Sequence, residues 1–286
     1  MSKAKIIVTG ANGQLGNEII ASSHSYPEFE FLFLSRDILP IHEIETIKDF
    51  FKANKPQYCI NCAAYTAVDR AESEKELAFL VNGEAAGSLA EVCNLFQTKF
   101  IHISTDYVFN GSADAPYKEE DEIDPVNTYG ASKRKGEEMV MKHNKEAVII
   151  RTSWVYSEFG NNFVKTMMRL MKTREKISVV NDQYGSPTYA ADLANTILAI
   201  IKSGNWVPGV YHYSNEGMIT WYNFSVAIKE MINSDCEIIP IPTSEYPTPA
   251  KRPGYSVFDT SKIKSVYKIV IPQWKESLNK CLRQLS

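Results

Sequence analysis

The 286-residue chain contains no run of 18 consecutive apolar residues, so no membrane-crossing helix is expected. It also lacks an excess of either charge: Lys and Arg total 31, Asp and Glu 34, and the formal net charge is −3. With no basic run, it offers no electrostatic footprint to nucleic acid or to an anionic membrane surface. No internal repeat or low-complexity tract is visible. Residues 1–5 lead straight into an apolar strand and leave no room for a signal peptide, so the cytoplasm is the expected location. Cysteine is sparse and odd in number (Cys59, Cys62, Cys93, Cys236, Cys281), which argues against a secreted disulfide framework. Cys59 and Cys62 form a C-x-x-C, but inside a strand-like apolar run they point to opposite faces and are expected to be buried thiols. The five histidines show no ligand spacing.

What the chain does have is alternation. Residues 5–8, 30–34, 57–62, 99–104 and 147–152 read as short apolar strands. Between them, residues 15–22, 44–53, 76–95 and 129–142 carry apolar positions at helical spacing. Strand–helix alternation implies parallel strands joined by crossover helices: an α/β, Rossmann-like doubly wound sheet with its sites at the carboxyl ends of the strands. After residue 155 the pattern changes. Helices are expected at 163–172, 190–202 and 221–232, strands at 177–180 and 210–213, and extended loops through the proline-rich stretch 240–253. We therefore expect a dinucleotide-binding domain over residues 1–155. Residues 156–286 should form a smaller substrate-binding lobe, partly woven back onto the first domain.

The first strand runs into Gly10-Ala11-Asn12-Gly13-Gln14-Leu15-Gly16, a G-x-x-G-x-x-G turn that opens a helix. Such a turn lets backbone amides and the positive end of the helix meet a pyrophosphate, so Gly10, Asn12, Gly13, Gln14, Leu15 and Gly16 are expected cofactor contacts. The second strand ends in Ser35-Arg36-Asp37-Ile38. Arg36 suits the 2′-phosphate of NADPH, whereas an acid such as Asp37 suits the ribose hydroxyl of NADH; both cofactors stay open, with a lean to NADPH. Ala63, Ala64 and Tyr65, after the third strand, are small enough at two of three positions to lie against the cofactor.

Tyr129 and Lys133 form Y-x-x-x-K, which places phenol and ammonium on one helix face. The ammonium is expected to lower the phenol's pKa toward the working range and to hold the cofactor ribose. The fourth strand ends at Thr105, whose hydroxyl can bond the oxygen that becomes an alkoxide. A glycine turn, a strand-end Thr and Y-x-x-x-K in this order make Thr105, Tyr129 and Lys133 the expected catalytic set.

Several segments resemble the dTDP-4-dehydrorhamnose reductase family of extended short-chain dehydrogenase/reductases. They include Ser104-Thr105-Asp106-Tyr107-Val108-Phe109, Asn127-Thr128-Tyr129-Gly130-Ala131-Ser132-Lys133, Arg151-Thr152-Ser153-Trp154, Asp182-Gln183-Tyr184-Gly185-Ser186-Pro187-Thr188 and Tyr246 through Pro253. The resemblance spans nearly the whole chain. It implies reduction of the 4-keto group of a dTDP-6-deoxy sugar, with Val68, Asp69, Thr105, Asp106, Trp154, Asn162 and Arg252 at the substrate, and it allows a homodimer. Some members of the family bind magnesium through acids at a dimer interface. Glu18 matches one such position, but the stretch 187–191 holds no acid, so no metal is expected.

Two other functions stay open. A 4-epimerase, or a reductase of another nucleotide sugar, shares these motifs. So does a non-catalytic regulatory subunit built on the same fold, although an intact Thr105, Tyr129 and Lys133 argues against it. Elimination of the 4,6-dehydratase kind is disfavoured, because Tyr107 stands where those enzymes carry a Glu.

Overall fold

A computed structural model describes residues 3–285. Met1, Ser2 and Ser286 lie outside the described residues, and with them the start of the N-terminus read above as leaderless. Six parallel strands form the central sheet: β1 (Ala4–Thr9), β2 (Phe29–Leu34), β3 (Tyr58–Asn61), β4 (Lys99–Thr105), β5 (Val148–Thr152) and β6 (Gly209–Tyr213), in the order β6-β5-β4-β3-β1-β2. The chain leaves β1 for β2 on one side and then crosses to β3 on the other. The switch point therefore lies between β1 and β3, where a crevice opens at the carboxyl ends.

The strands are apolar on both faces because both are covered. Ile6, Val8 and Ile60 point to one layer, with α1 (Gln14–Ser23) and, later in the chain, Leu193, Ile197 and Ile201. Ile7, Cys59 and Phe100 point to the other, against α2 (Ile44–Asn54) and α3 (Ala85–Leu95). The apolar spacing over 76–95 does not yield one regular helix. A turn at Lys75–Phe79 is followed by a π-helical turn at Leu80–Glu84 before α3 begins. That wide turn carries Asn82, whose side chain bonds the Tyr65 backbone and the Ser132 hydroxyl. Helix α4 (Thr128–His143) follows β4 and is capped by Asn127, whose Oδ1 accepts from Gly130 N at 2.8 Å.

Beyond β5, α5 (Phe163–Thr173), α7 (Trp221–Met231) and α8 (Trp274–Leu285) enclose a second core around Val164, Phe224, Ile228 and Leu278. Between them, α6 (Ala190–Ser203) and β6 return to the main sheet, α6 against α1 and β6 beside β5. The proline-rich segment is not all loop. Glu237–Ile241 pairs in parallel with Lys176–Val180, tolerating Pro240 because the two-stranded pair is all edge. The helices Ser261–Tyr267 and Trp274–Leu285 were not expected from the sequence. No helix among the described residues is long and apolar enough to cross a membrane.

Candidate active site

A cavity of about 670 Å³ opens at the switch point. Its walls include Asn12 to Gly16, Cys62, Ala64, Val68, the stretch Ile103 to Tyr107, Tyr129, Lys133 and Trp154. The glycine turn forms one end. Gly10 has φ +67°, and a Cβ there would sit 2.5 Å from the Ala63 backbone nitrogen, so only glycine lets β1 turn this close to the end of β3. Gly13 stands at the N-cap of α1 with no side chain bonding the first turn. The Gly13 amide donates to Gly10 O, and the first-turn amides after it, Gln14 to Gly16, face the cavity end where an anion could sit.

Thr105, Tyr129 and Lys133 meet at the other end. Helix α4 approaches the end of β4 closely, since a Cβ on Gly130 would lie 2.0 Å from Tyr107 O. That approach brings Tyr129 and Thr105 to the wall of the same cavity. Thr105 Oγ1 donates to Asp106 Oδ1 at 3.0 Å, and the Tyr107 ring stands edge-on to Tyr129 at 5.7 Å. Burial pushes Tyr129 up to about 12. Burial likewise pushes Asp106 up to about 6; among the described residues its Oδ2 has no hydrogen-bond partner.

Lys133 corrects one expectation. Its Nζ donates to Ile103 O at 2.7 Å and lies 3.5 Å from His102 Nε2. Burial lowers it to about 8, and the phenol is raised rather than lowered. In this arrangement desolvation outweighs the expected effect of the ammonium on Tyr129.

Trp154 follows β5 with φ +47° and stacks on Trp221 at 3.5 Å, with 10° between the planes. Trp221 lines the cavity too and was missed by sequence reading; its only signal is an aromatic just after the Thr220 N-cap. Trp221 and Phe163 also wall a second cavity of about 720 Å³, lined further by Gln183, Tyr246 and Arg252. The second cavity is of similar size but holds none of Thr105, Tyr129 and Lys133, which all line the first.

Other expected residues are engaged elsewhere. Arg252 pairs bidentately with Asp69, at 2.9 and 2.8 Å, and neither acts alone. Asn162 caps α5, accepting from Lys165 N at 3.1 Å, while its Nδ2 donates to Gln14 Oε1 and Ser157 O. That leaves it built into the framework. Arg36, Asp37 and Ile38 are exposed at the end of β2, outside the cavity wall. Ala63 contributes backbone beneath Gly10, and the Tyr65 hydroxyl donates to Glu74 at 2.6 Å. Cys62 lines the cavity instead of being fully buried; Cys59, Cys93, Cys236 and Cys281 are buried, and all five are free thiols. Glu18 accepts a 2.6 Å bond from Ser157 Oγ near Glu158 and Asp192, and burial pushes it up to about 8.

Residues 4–286 match the family model described as the RmlD substrate binding domain. The chain belongs to this family. Among its relatives, dTDP-4-dehydrorhamnose reductase of Burkholderia thailandensis is 40% identical, covering 98% of this chain and 99% of its own. The spore coat polysaccharide biosynthesis protein SpsK of Bacillus subtilis is also 40% identical, covering 99% of this chain and 98% of its own. The crystal structure of dTDP-4-dehydrorhamnose reductase from Bacillus anthracis in complex with NADP superposes with a TM-score of 0.95 at 39% identity, covering 99% of this chain and all of that one. The RmlD match runs through both cavities, so it takes in the C-terminal lobe as well as the central sheet.

Proposed function

We propose that this chain reduces the 4-keto group of dTDP-4-dehydro-L-rhamnose to give dTDP-L-rhamnose, using NADPH or NADH, in the synthesis of sugar nucleotides for surface polysaccharide. The observation that carries the reading is that Thr105, Tyr129 and Lys133 line one end of a cavity whose other end is the glycine turn at the start of α1.

The residues present fit a dinucleotide. Gly10, Asn12, Gly13, Gln14, Leu15 and Gly16 would take the pyrophosphate, and Ala63 and Ala64 the nicotinamide side. Lys133 would take the ribose, with Tyr65 behind it. Arg36, beside Asp37 and Ile38, would read a 2′-phosphate from the rim. The bound reduced nicotinamide supplies the hydride. Tyr129 donates its proton to the sugar oxygen, and Thr105 bonds that oxygen as it gains charge. Val68, Asp106 and Trp154 line the sugar's position. The second cavity, with Arg252 held by Asp69, suits the nucleotide. Asn162 supports the glycine turn of the first cavity through Gln14.

Within the same proposal, residues 1–155 carry the cofactor and 156–286 mainly the substrate, in a cytoplasmic homodimer. Light scattering tests the assembly. The test of function is oxidation of NADPH and NADH against dTDP-4-dehydro-L-rhamnose, with the UDP analogue as control. Consumption of reduced cofactor with the dTDP-sugar supports the reading. Purified chain that retains bound NAD⁺ and consumes no added cofactor would instead be an epimerase.

A further inference from the structure

Behind Lys133 runs a chain of buried polar groups that the proposed reaction does not use. Thr9 Oγ1 donates to Asn61 Oδ1 at 2.7 Å, and the Ala63 backbone N–H reaches the same oxygen at 3.2 Å. A backbone N–H can only donate, so the Asn61 amide is fixed with its oxygen on that side. Its Nδ2 then faces His102 Nδ1 at 3.0 Å, and an amide nitrogen also only donates. Nδ1 is therefore the bare nitrogen, and the neutral ring carries its proton on Nε2. Burial holds this imidazole well below its ordinary pKa, with Lys133 acting in the same direction. The Nε2–H looks at Lys133 Nζ, 3.5 Å away. When Lys133 is an ammonium, two donors confront each other. When it is an amine, its lone pair can accept.

We infer that His102 is a positioning residue for Lys133: locked by Asn61 with its proton on Nε2, it disfavours the ammonium and lets Lys133 release the proton that restores the Tyr129 phenol after each turnover. This rests on the roles of Tyr129 and Lys133 proposed above. The protons balance. Tyr129 loses one to the sugar oxygen, the ammonium returns one to the phenolate, and the amine regains one from water. Each ketone reduced thus consumes one hydride and one proton.

The other groups facing Lys133 do not supply this effect. Glu137, on the same helix, and Cys62, at the end of β3, both favour the charged lysine. Glu137 is itself bonded to Arg151 and Ser104. From β4 come only His102 and the Ile103 carbonyl. Burial and the imidazole N–H remain to oppose the charge.

The tautomer is read directly by nitrogen NMR of the ¹⁵N-histidine-labelled chain. His102 is expected as the Nε2–H form, without titrating between about pH 5 and about pH 9. Asn61→Asp replaces the amide donor by an acceptor, so the ring should move its proton to Nδ1 and turn a lone pair toward Lys133. The basic limb of kcat should then shift upward by about one pH unit. The new carboxylate also acts through space, so the same change is made in a His102→Leu background, where the shift should be far smaller. An Nδ1–H tautomer in the wild-type chain, or equal shifts in both backgrounds, would overturn the inference. If the His102→Leu chain fails to fold, the wild-type tautomer decides. That measurement needs no substrate, so a chain inactive on the dTDP-sugar would refute the proposed function without touching this result.

Discussion

Burial raises the Tyr129 phenol to about 12, so it holds its proton even at a pH where an ordinary phenol ionises. A phenol so raised is a weaker acid than a free one, but it is still more acidic than an alcohol and can protonate a developing alkoxide. Tyr129→Phe keeps the ring against Tyr107 and removes only the donor. It is expected to lower single-turnover hydride transfer by about 10²–10⁴-fold while leaving NADPH binding, read by fluorescence titration, nearly unchanged. Retention of more than a third of the wild-type rate would exclude Tyr129 as the acid. Arg252 tests the second cavity. Its ion pair with Asp69 is partly exposed, so Arg252→Ala should cost less than about 1 kcal/mol of stability in urea titrations. The Michaelis constant for the sugar nucleotide, by contrast, should rise by about tenfold or more, because a charge-assisted contact to phosphate is lost. Equal effects on stability and affinity would make Arg252 a structural residue.

At the level of elements, each strand of the first half was legible because its apolar run is too short for a helix and alternates with longer stretches of helical period. The π turn at Leu80–Glu84 was not, because one extra residue in a turn leaves the apolar count unchanged and appears only as a side chain, Asn82, aimed at Tyr65 and Ser132. Pro240 hid the strand Glu237–Ile241. Leu278, Cys281 and Leu282 carry a helical period in Trp274–Leu285 that sequence reading missed. In the site, the motif residues Thr105, Tyr129 and Lys133 could be named from spacing, whereas Trp221 lies 67 residues from Trp154 and meets it only through the fold. Asn162, expected at the substrate, also caps an apolar helix, a role the sequence reading did not separate from ligand contact. Asn162→Ala should lower stability by about 1 kcal/mol and, through Gln14, raise the Michaelis constant for NADPH. Unchanged thermal stability would count against the capping role. Gly185→Ala is a harsher probe: its Cβ would lie 2.5 Å from the Trp154 ring. We expect about 1–3 kcal/mol of destabilisation and a loss of turnover as the Trp154–Trp221 stack is displaced.

For the whole molecule, the join between the two cores is partly acidic. Glu18 on α1 accepts from Ser157 beyond β5, and burial raises its carboxyl from 4.5 to about 8. A carboxyl raised on folding stays protonated in the native chain while the unfolded chain ionises. Stability is therefore lost as pH climbs from the unfolded value toward about 8, and the loss levels off above it. Glu18→Gln, neutral at every pH, should flatten that slope. Urea unfolding at pH 6 and pH 8 should show the variant gaining on the wild-type chain at the higher pH, by up to a few kcal/mol. Parallel profiles would mean that Glu18 is already ionised in the native state. The order of the sheet has another consequence, for the making of the protein. β5 is followed by 56 residues before β6 begins, and until then its outer edge has no partner. A nascent chain leaving the ribosome thus carries an open parallel edge through the synthesis of α5 and α6, a state in which neighbouring chains can pair with it. Translation pauses or stop codons between residues 152 and 209 should therefore yield aggregates, not a smaller soluble dinucleotide-binding unit.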